Sequence, residues 1–243
     1  MTDDSLYYKR TIVKQSVPSI YLEQPRSIRI FLPPGYNELV TYPVIYCQDG
    51  EQFFNFGRIV THMNRLLYDE GAEPAIIVGV DVDLSIRTSE YSPEGSRFHD
   101  YCRFFTEELL PFVEQEYSVR SECHERLLAG DSLGGTVSLH LALDYPHHFC
   151  RVLCLSGAFF RETRERISLE ADLSRLKLYM LIGTDETAVT TERGTFDFLT
   201  ENRQTKTLLE ARSVRLTYME KPGKHLWGFW QNELPEAMKL FLT

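Results

Sequence analysis

The sequence predicts an α/β fold: one domain, residues 1–243, built on a mostly parallel eight-stranded sheet with helices on both faces. Two observations carry this. From about residue 42 onward, short apolar runs alternate with helix-length segments, the pattern of strands joined by crossover helices. The chain has 243 residues, 43% of them hydrophobic, enough for one large buried core, and no Ser/Gly-rich linker, charge block, internal repeat or low-complexity tract divides it.

Two opening runs, 7–16 and 27–32, read as antiparallel strands, the second stopped by Pro33, Pro34 and Gly35. A buried strand over 44–48, a helix over 56–68 and a strand over 75–82 follow. After a long loop comes a helix over 98–117, in which Pro111 marks a kink or break. The strand 126–129 leads through a glycine-rich turn into the helix 136–145. Strands over 152–156 and 177–182, a helix over 196–212, a last main strand over 214–219 and a closing helix over 235–241 complete the order. The charged segment 161–175 reads equally as a small lid or a solvated connecting helix.

Composition narrows the function. Acidic residues outnumber basic ones, 35 to 26, for a net charge of -9, and no basic stripe is interleaved with aromatics. Nucleic acid and an anionic membrane are therefore not expected as partners. The first ten residues lack the charged and apolar regions of a secretory signal, and no run approaches the 18 apolar residues of a membrane span. The five cysteines, Cys47, Cys102, Cys123, Cys150 and Cys154, form an odd set without a C-x-x-C. They read as reduced core residues of a cytoplasmic protein. Cys150 and Cys154 stand near His147 and His148, but on a buried strand and the loop before it, whereas zinc ligands usually come as turn-borne pairs. No metal and no cofactor is expected.

The chemistry centres on Gly130, Asp131, Ser132, Leu133, Gly134 and Gly135, which lie between an apolar run and a helix-like one. Gly-x-Ser-x-Gly at a strand–turn–helix junction is what a nucleophile elbow requires: the serine takes a strained conformation, and small neighbours keep strand and helix from colliding. In open sheets the reactive groups gather at the carboxyl ends of the strands. That rule sorts the seven histidines. His62 and His140 fall within helices, and His147, His148 and His124 lie toward the opposite edge. His99 opens a helix after the long loop. His225 alone follows the last strand by a short Pro-Gly turn, after the serine in sequence. The remaining member is a carboxylate, and Gly183, Thr184, Asp185, Glu186 follows the preceding strand. Either Asp185 or Glu186 can orient an imidazole; spacing favours Glu186, and Glu192 is a remote third option.

Several motifs recur in order: Phe31-Leu32-Pro33-Pro34-Gly35-Tyr36, Tyr42-Pro43-Val44-Ile45-Tyr46 leading to Asp49-Gly50, and Arg87 with Glu90-Tyr91-Ser92-Pro93. They continue with the elbow, Tyr145-Pro146 with Phe149, Ser156-Gly157, and His225 with Trp227 and Trp230. Together these make the chain, from about residue 27 to its end, resemble the putative-esterase family of α/β hydrolases, which contains enterochelin-esterase-like and esterase-D-like enzymes. The resemblance implies the α/β-hydrolase fold, Ser132 as nucleophile, His225 as base, and an acid three residues after Gly183, which is Glu186. It implies an oxyanion hole from the backbone N–H groups of Leu133 and Glu51. The chain departs from the pattern at Lys224, where a small residue is usual, and at Gln48, where an apolar one is.

The function expected is a serine carboxylic-ester hydrolase acting through an acyl-enzyme on a small-molecule ester or lactone. A thioesterase or acyltransferase on the same residues is the alternative within catalysis, and a catalytically silent binding module the alternative outside it. Phe53, Phe54, Phe159, Phe160, Trp227 and Trp230 are candidates for pocket wall or minor core. Arg87 either steers an acidic substrate or ties its loop to Glu90. The natural ester and the oligomeric state, a homodimer included, stay open.

Overall fold

The computed structural model describes residues 11–242. Its main sheet has eight strands in the order β1-β2-β4-β3-β5-β6-β7-β10. Here β1 is Thr11–Val17, β2 Arg26–Leu32, β3 Val44–Cys47, β4 Ile76–Val80, β5 Arg126–Asp131, β6 Arg151–Leu155, β7 Lys177–Gly183 and β10 Arg215–Lys221. The sheet is mixed: β1 pairs antiparallel with β2 and β2 antiparallel with β4, while the strands from β4 to β10 run parallel. The first part of the strand expected over 7–16 lies outside the described residues.

Alternation along the buried strands divides the core. Val44 and Tyr46 face one side of the sheet with Val78 and Leu128, against the helical segment 98–116 and α6, Leu133–Asp144. Ile45 and Cys47 face the other with Leu127 and Ala129, against α2, Ile59–Glu70, and α9, Trp227–Leu242. The connections after β3 and β5 thus leave the sheet on opposite faces, which opens a crevice at the carboxyl ends of these neighbours.

The segment 98–116 is one run in three parts: α4, Phe98–Arg103; a π-helical stretch, Phe104–Leu109; and α5, Leu110–Glu116. The change of register comes just before Pro111, which has no N–H to donate. α9 begins eight residues before the expected start at Pro235, which instead lies inside it; Phe229, Trp230 and Leu234 bury against the core and carry the helix through. Three elements were not expected: α1, Gly50–Asn55, α3, Arg87–Tyr91, and a hairpin of β8, Val189–Thr191, with β9, Gly194–Phe196. Within the charged segment 161–175 the helix α7 covers Arg161–Ser168; α8, Phe198–Glu210, follows the hairpin. Among the described residues no helix is long and apolar enough to cross a membrane.

The cysteines correct the sequence expectation. Cys123 and Cys150 form a disulfide with their Cα atoms 5.3 Å apart, and only Cys47, Cys102 and Cys154 are free, all buried. Cys123 opens the short 3-10 turn 123–125 that leads into β5 and Cys150 immediately precedes β6, and because these strands are parallel neighbours their entry points lie side by side. The reduced set was one ground for expecting a cytoplasmic protein, and that ground falls away.

Candidate active site

Ser132 stands between β5 and α6 with φ 51 and ψ -121, a conformation that a side-chain-bearing residue adopts only where its surroundings impose it. The glycines explain how. A Cβ on Gly130 would come within 2.2 Å of the Gly134 backbone, so strand and helix cross in contact only because Gly130 lacks one. A Cβ on Gly134 would lie 2.8 Å from the Asp49 carboxylate, which packs over the first turn of α6. Asp49 and Ser156, at the ends of β3 and β6, also take positive φ, 51 and 49. Three adjacent strands therefore end in strained turns around one point.

There Ser132 Oγ lies 3.0 Å from His225 Nε2, and His225 Nδ1 lies 2.7 Å from Glu186 Oε2. Of the three acids weighed from the sequence, the structure brings Glu186 to the imidazole. It is fully buried, and its other oxygen accepts from the Gly183 N–H at 2.8 Å and from Ser156 Oγ at 2.6 Å. Asp185 faces solvent and donates its amide to the Gly223 carbonyl at 3.1 Å; Glu192 sits on the hairpin, 3.5 Å from Thr88 Oγ1. The His225 ring is packed between Phe198 and Trp230, with centroids 4.4 and 4.9 Å away. By contrast, burial holds His62 and His140 down to about 4, so both are neutral core residues.

The amides named for an oxyanion hole both stand in helix first turns, where N–H groups lack intrahelical acceptors: Leu133 opens α6, and Glu51 is the second residue of α1. The Glu51 side chain turns outward, 3.3 Å from Arg29.

These groups open on a cleft of about 480 Å³. Its walls include Trp227, Trp230, Phe160, Phe198, Leu84 and Leu226, together with Arg87 and Asp131. The hairpin contributes Thr191, Glu192 and Arg193, so this insert, rather than the segment 161–175, bounds the cleft. Arg193 donates to Ser92 Oγ at 3.0 Å and pairs with Glu94, tying the hairpin to the loop after α3.

Other sequence candidates fall elsewhere. Phe53 and Phe159 are fully buried, and neither lines the cleft. Phe53 backs it by packing edge-on against Trp227 at 4.9 Å, and Phe159 lies against Gly157, whose missing Cβ makes room for the ring. Phe54 is core as well. Arg87 does line the cleft but is not tied to Glu90, which pairs with Arg26 at 2.6 Å. Its guanidinium grips both oxygens of Asp49, at 2.6 and 2.9 Å. Burial opposes its charge, and the Asp49 carboxylate more than offsets that, leaving Arg87 a firmer cation than usual.

Sequence reading assigned no role to Ser156, which links Glu186 to the Trp230 indole N–H at 2.8 Å. Its only signal was the Ser156-Gly157 pair among the shared motifs.

The family model described as Putative esterase matches residues 19–241. The chain belongs to this family. Membership makes it a carboxylic ester hydrolase. An uncharacterized protein of Bacillus subtilis, YjcH, is 37% identical over 234 residues, 96% of this chain and 98% of its own. Among solved structures, a ferulic acid esterase superposes with a TM-score of 0.82 at 21% identity, over 96% of this chain and 98% of that one. The enterobactin esterase of Shigella flexneri gives 0.80 at 21% identity, over 95% of this chain and 59% of that one. These likenesses establish the α/β-hydrolase fold.

Proposed function

We propose that the protein is a serine esterase that cleaves a small carboxylic ester or lactone through an acyl-enzyme. The observation that carries this is the hydrogen-bonded chain Ser132–His225–Glu186, its links 3.0 and 2.7 Å long, opening on a cleft of ligand size. A serine hydroxyl is a weak nucleophile at neutral pH, so His225 Nε2 takes its proton as Oγ attacks the ester carbonyl. The Leu133 and Glu51 amides receive the developing oxyanion, a contact worth about 3 kcal/mol per donor in the transition state. His225 then passes the proton to the leaving alkoxide as the C–O bond breaks, and water repeats the steps to free the acid. Glu186 holds the ring in the productive tautomer and balances its transient charge.

The aromatic wall of Trp227, Trp230, Phe160 and Phe198 suits an apolar or aromatic part of the ester. The structural neighbours named as ferulic acid and enterobactin esterases are compatible with that range.

The test is labelling with a fluorophosphonate probe, alongside turnover of nitrophenyl esters of increasing chain length and of a matched thioester. Labelling at Ser132 and a loss of about a thousandfold or more in Ser132→Ala, with unchanged thermal unfolding, are expected. Retained activity in that variant overturns the proposal, and preference for the thioester moves the reaction to the alternative acyl chemistry.

A further inference from the structure

Asp131, immediately before the nucleophile, has no task in the mechanism above. It is 4% exposed, lines the cleft, and its Oδ1 has no hydrogen-bond partner among the described residues. The groups around it come from several elements. Asp49 stands at the end of β3, with the buried Cys47 thiol on the strand itself; Arg87 comes from α3 and His225 from the loop after β10. Glu192 and Arg193 line the same cleft from the hairpin. Arg87 is the nearest cation, but it is committed to Asp49 by two bonds and meets Asp131 only through the backbone carbonyl, at 3.3 Å. Of two buried carboxyls, only that of Asp49 is bonded to the guanidinium. An ionised Asp131 would be a surplus buried charge, which proteins avoid by retaining the proton.

We propose that Asp131 serves as a neutral acid: the productive enzyme keeps a proton on this carboxyl, and losing it sets a buried negative charge beside the oxyanion that forms at Ser132. The surrounding groups agree, since burial and then the Asp49 charge raise Asp131 to about 7, against the opposing pull of Arg87. Ionisation then falls near neutral pH. The kinetic consequence rests on the serine mechanism; the protonation does not.

Two readouts separate these. In Ser132→Ala, infrared difference spectra taken between about pH 5 and about pH 9 should show a protonated-carboxyl band that disappears at the alkaline end and is absent from Ser132→Ala combined with Asp131→Asn. In the Ser132-intact enzyme, kcat/KM for a non-titrating ester should fall about tenfold along an alkaline limb that Asp131→Asn removes. Asp49→Asn frees Arg87 for Asp131, so in that variant the band and the limb should move to lower pH. This variant decides the matter if Asp131→Asn does not fold. A missing band, or an alkaline limb that persists in Asp131→Asn, overturns the proposal. A failure of fluorophosphonate labelling with the band present overturns only the serine mechanism.

Discussion

At the level of single residues, Glu186 does two things with two oxygens, and this sets apart the effects of neighbouring mutations. One oxygen holds His225, while the other is fixed by the Gly183 amide and the Ser156 hydroxyl. Glu186→Gln keeps the size but removes the charge and forces an NH₂ group toward donors. We expect kcat to fall by about a thousandfold or more with KM little changed, the signature of an interaction made in the transition state. Asp185→Asn alters a solvent-facing side chain and should change kcat less than about threefold. Ser156→Ala removes one of the two bonds on the far oxygen and the partner of Trp230, and should cost about tenfold in kcat. Steady-state kinetics of the three variants check the order, and an effect of Asp185→Asn as large as that of Glu186→Gln would transfer the role.

Elements show why some of this was legible in the sequence and some was not. The elbow is local: Gly130, Ser132 and Gly134 fix strand, turn and helix within a few residues, and each glycine has a contact that excludes a Cβ. The offset of Glu186 from Gly183 is equally local. The hairpin escaped because its strands have three residues each, too short for a period to register. Phe53 and Phe159 could not be sorted from Trp227 because local pattern does not distinguish a ring that faces the cleft from one a layer behind it. The proton on Asp131 depends on Arg87 and Asp49, which lie 44 and 82 positions away in the chain and meet it only in the folded crevice. The hairpin also carries a prediction. Arg193 anchors it to Ser92 and Glu94 without touching the Ser132–His225–Glu186 chain, so Arg193→Ala should raise KM by about three- to tenfold and leave kcat within about twofold. A fall in kcat with constant KM would place Arg193 in the chemistry instead.

For the whole molecule, the sheet brings distant segments together, and two measurable properties follow. The first is the thiol count. Cys123 and Cys150 are 27 residues apart, yet β5 and β6 place them side by side, so alkylation of the denatured, unreduced protein should modify three cysteines and all five after reduction. Five without reductant would return the pair to free thiols. The second is how stability depends on pH. Asp131 is raised from 3.8 to about 7 by burial and by Asp49, so between these values the folded protein holds a proton that the unfolded chain has released. The native state then binds more protons than the unfolded one, and this group's contribution to stability falls as pH rises from about 3.8 to about 7, levelling off above. Asp131→Asn cannot ionise and is free of that loss. Any packing cost of the substitution is the same at every pH, so the informative quantity is the difference in Tm between variant and wild type. It should become more positive by about 3 °C or more between about pH 4.5 and about pH 8. A difference that stays constant over that range would mean that Asp131 titrates alike in both states, and that the buried pair of carboxyls holds no proton between them.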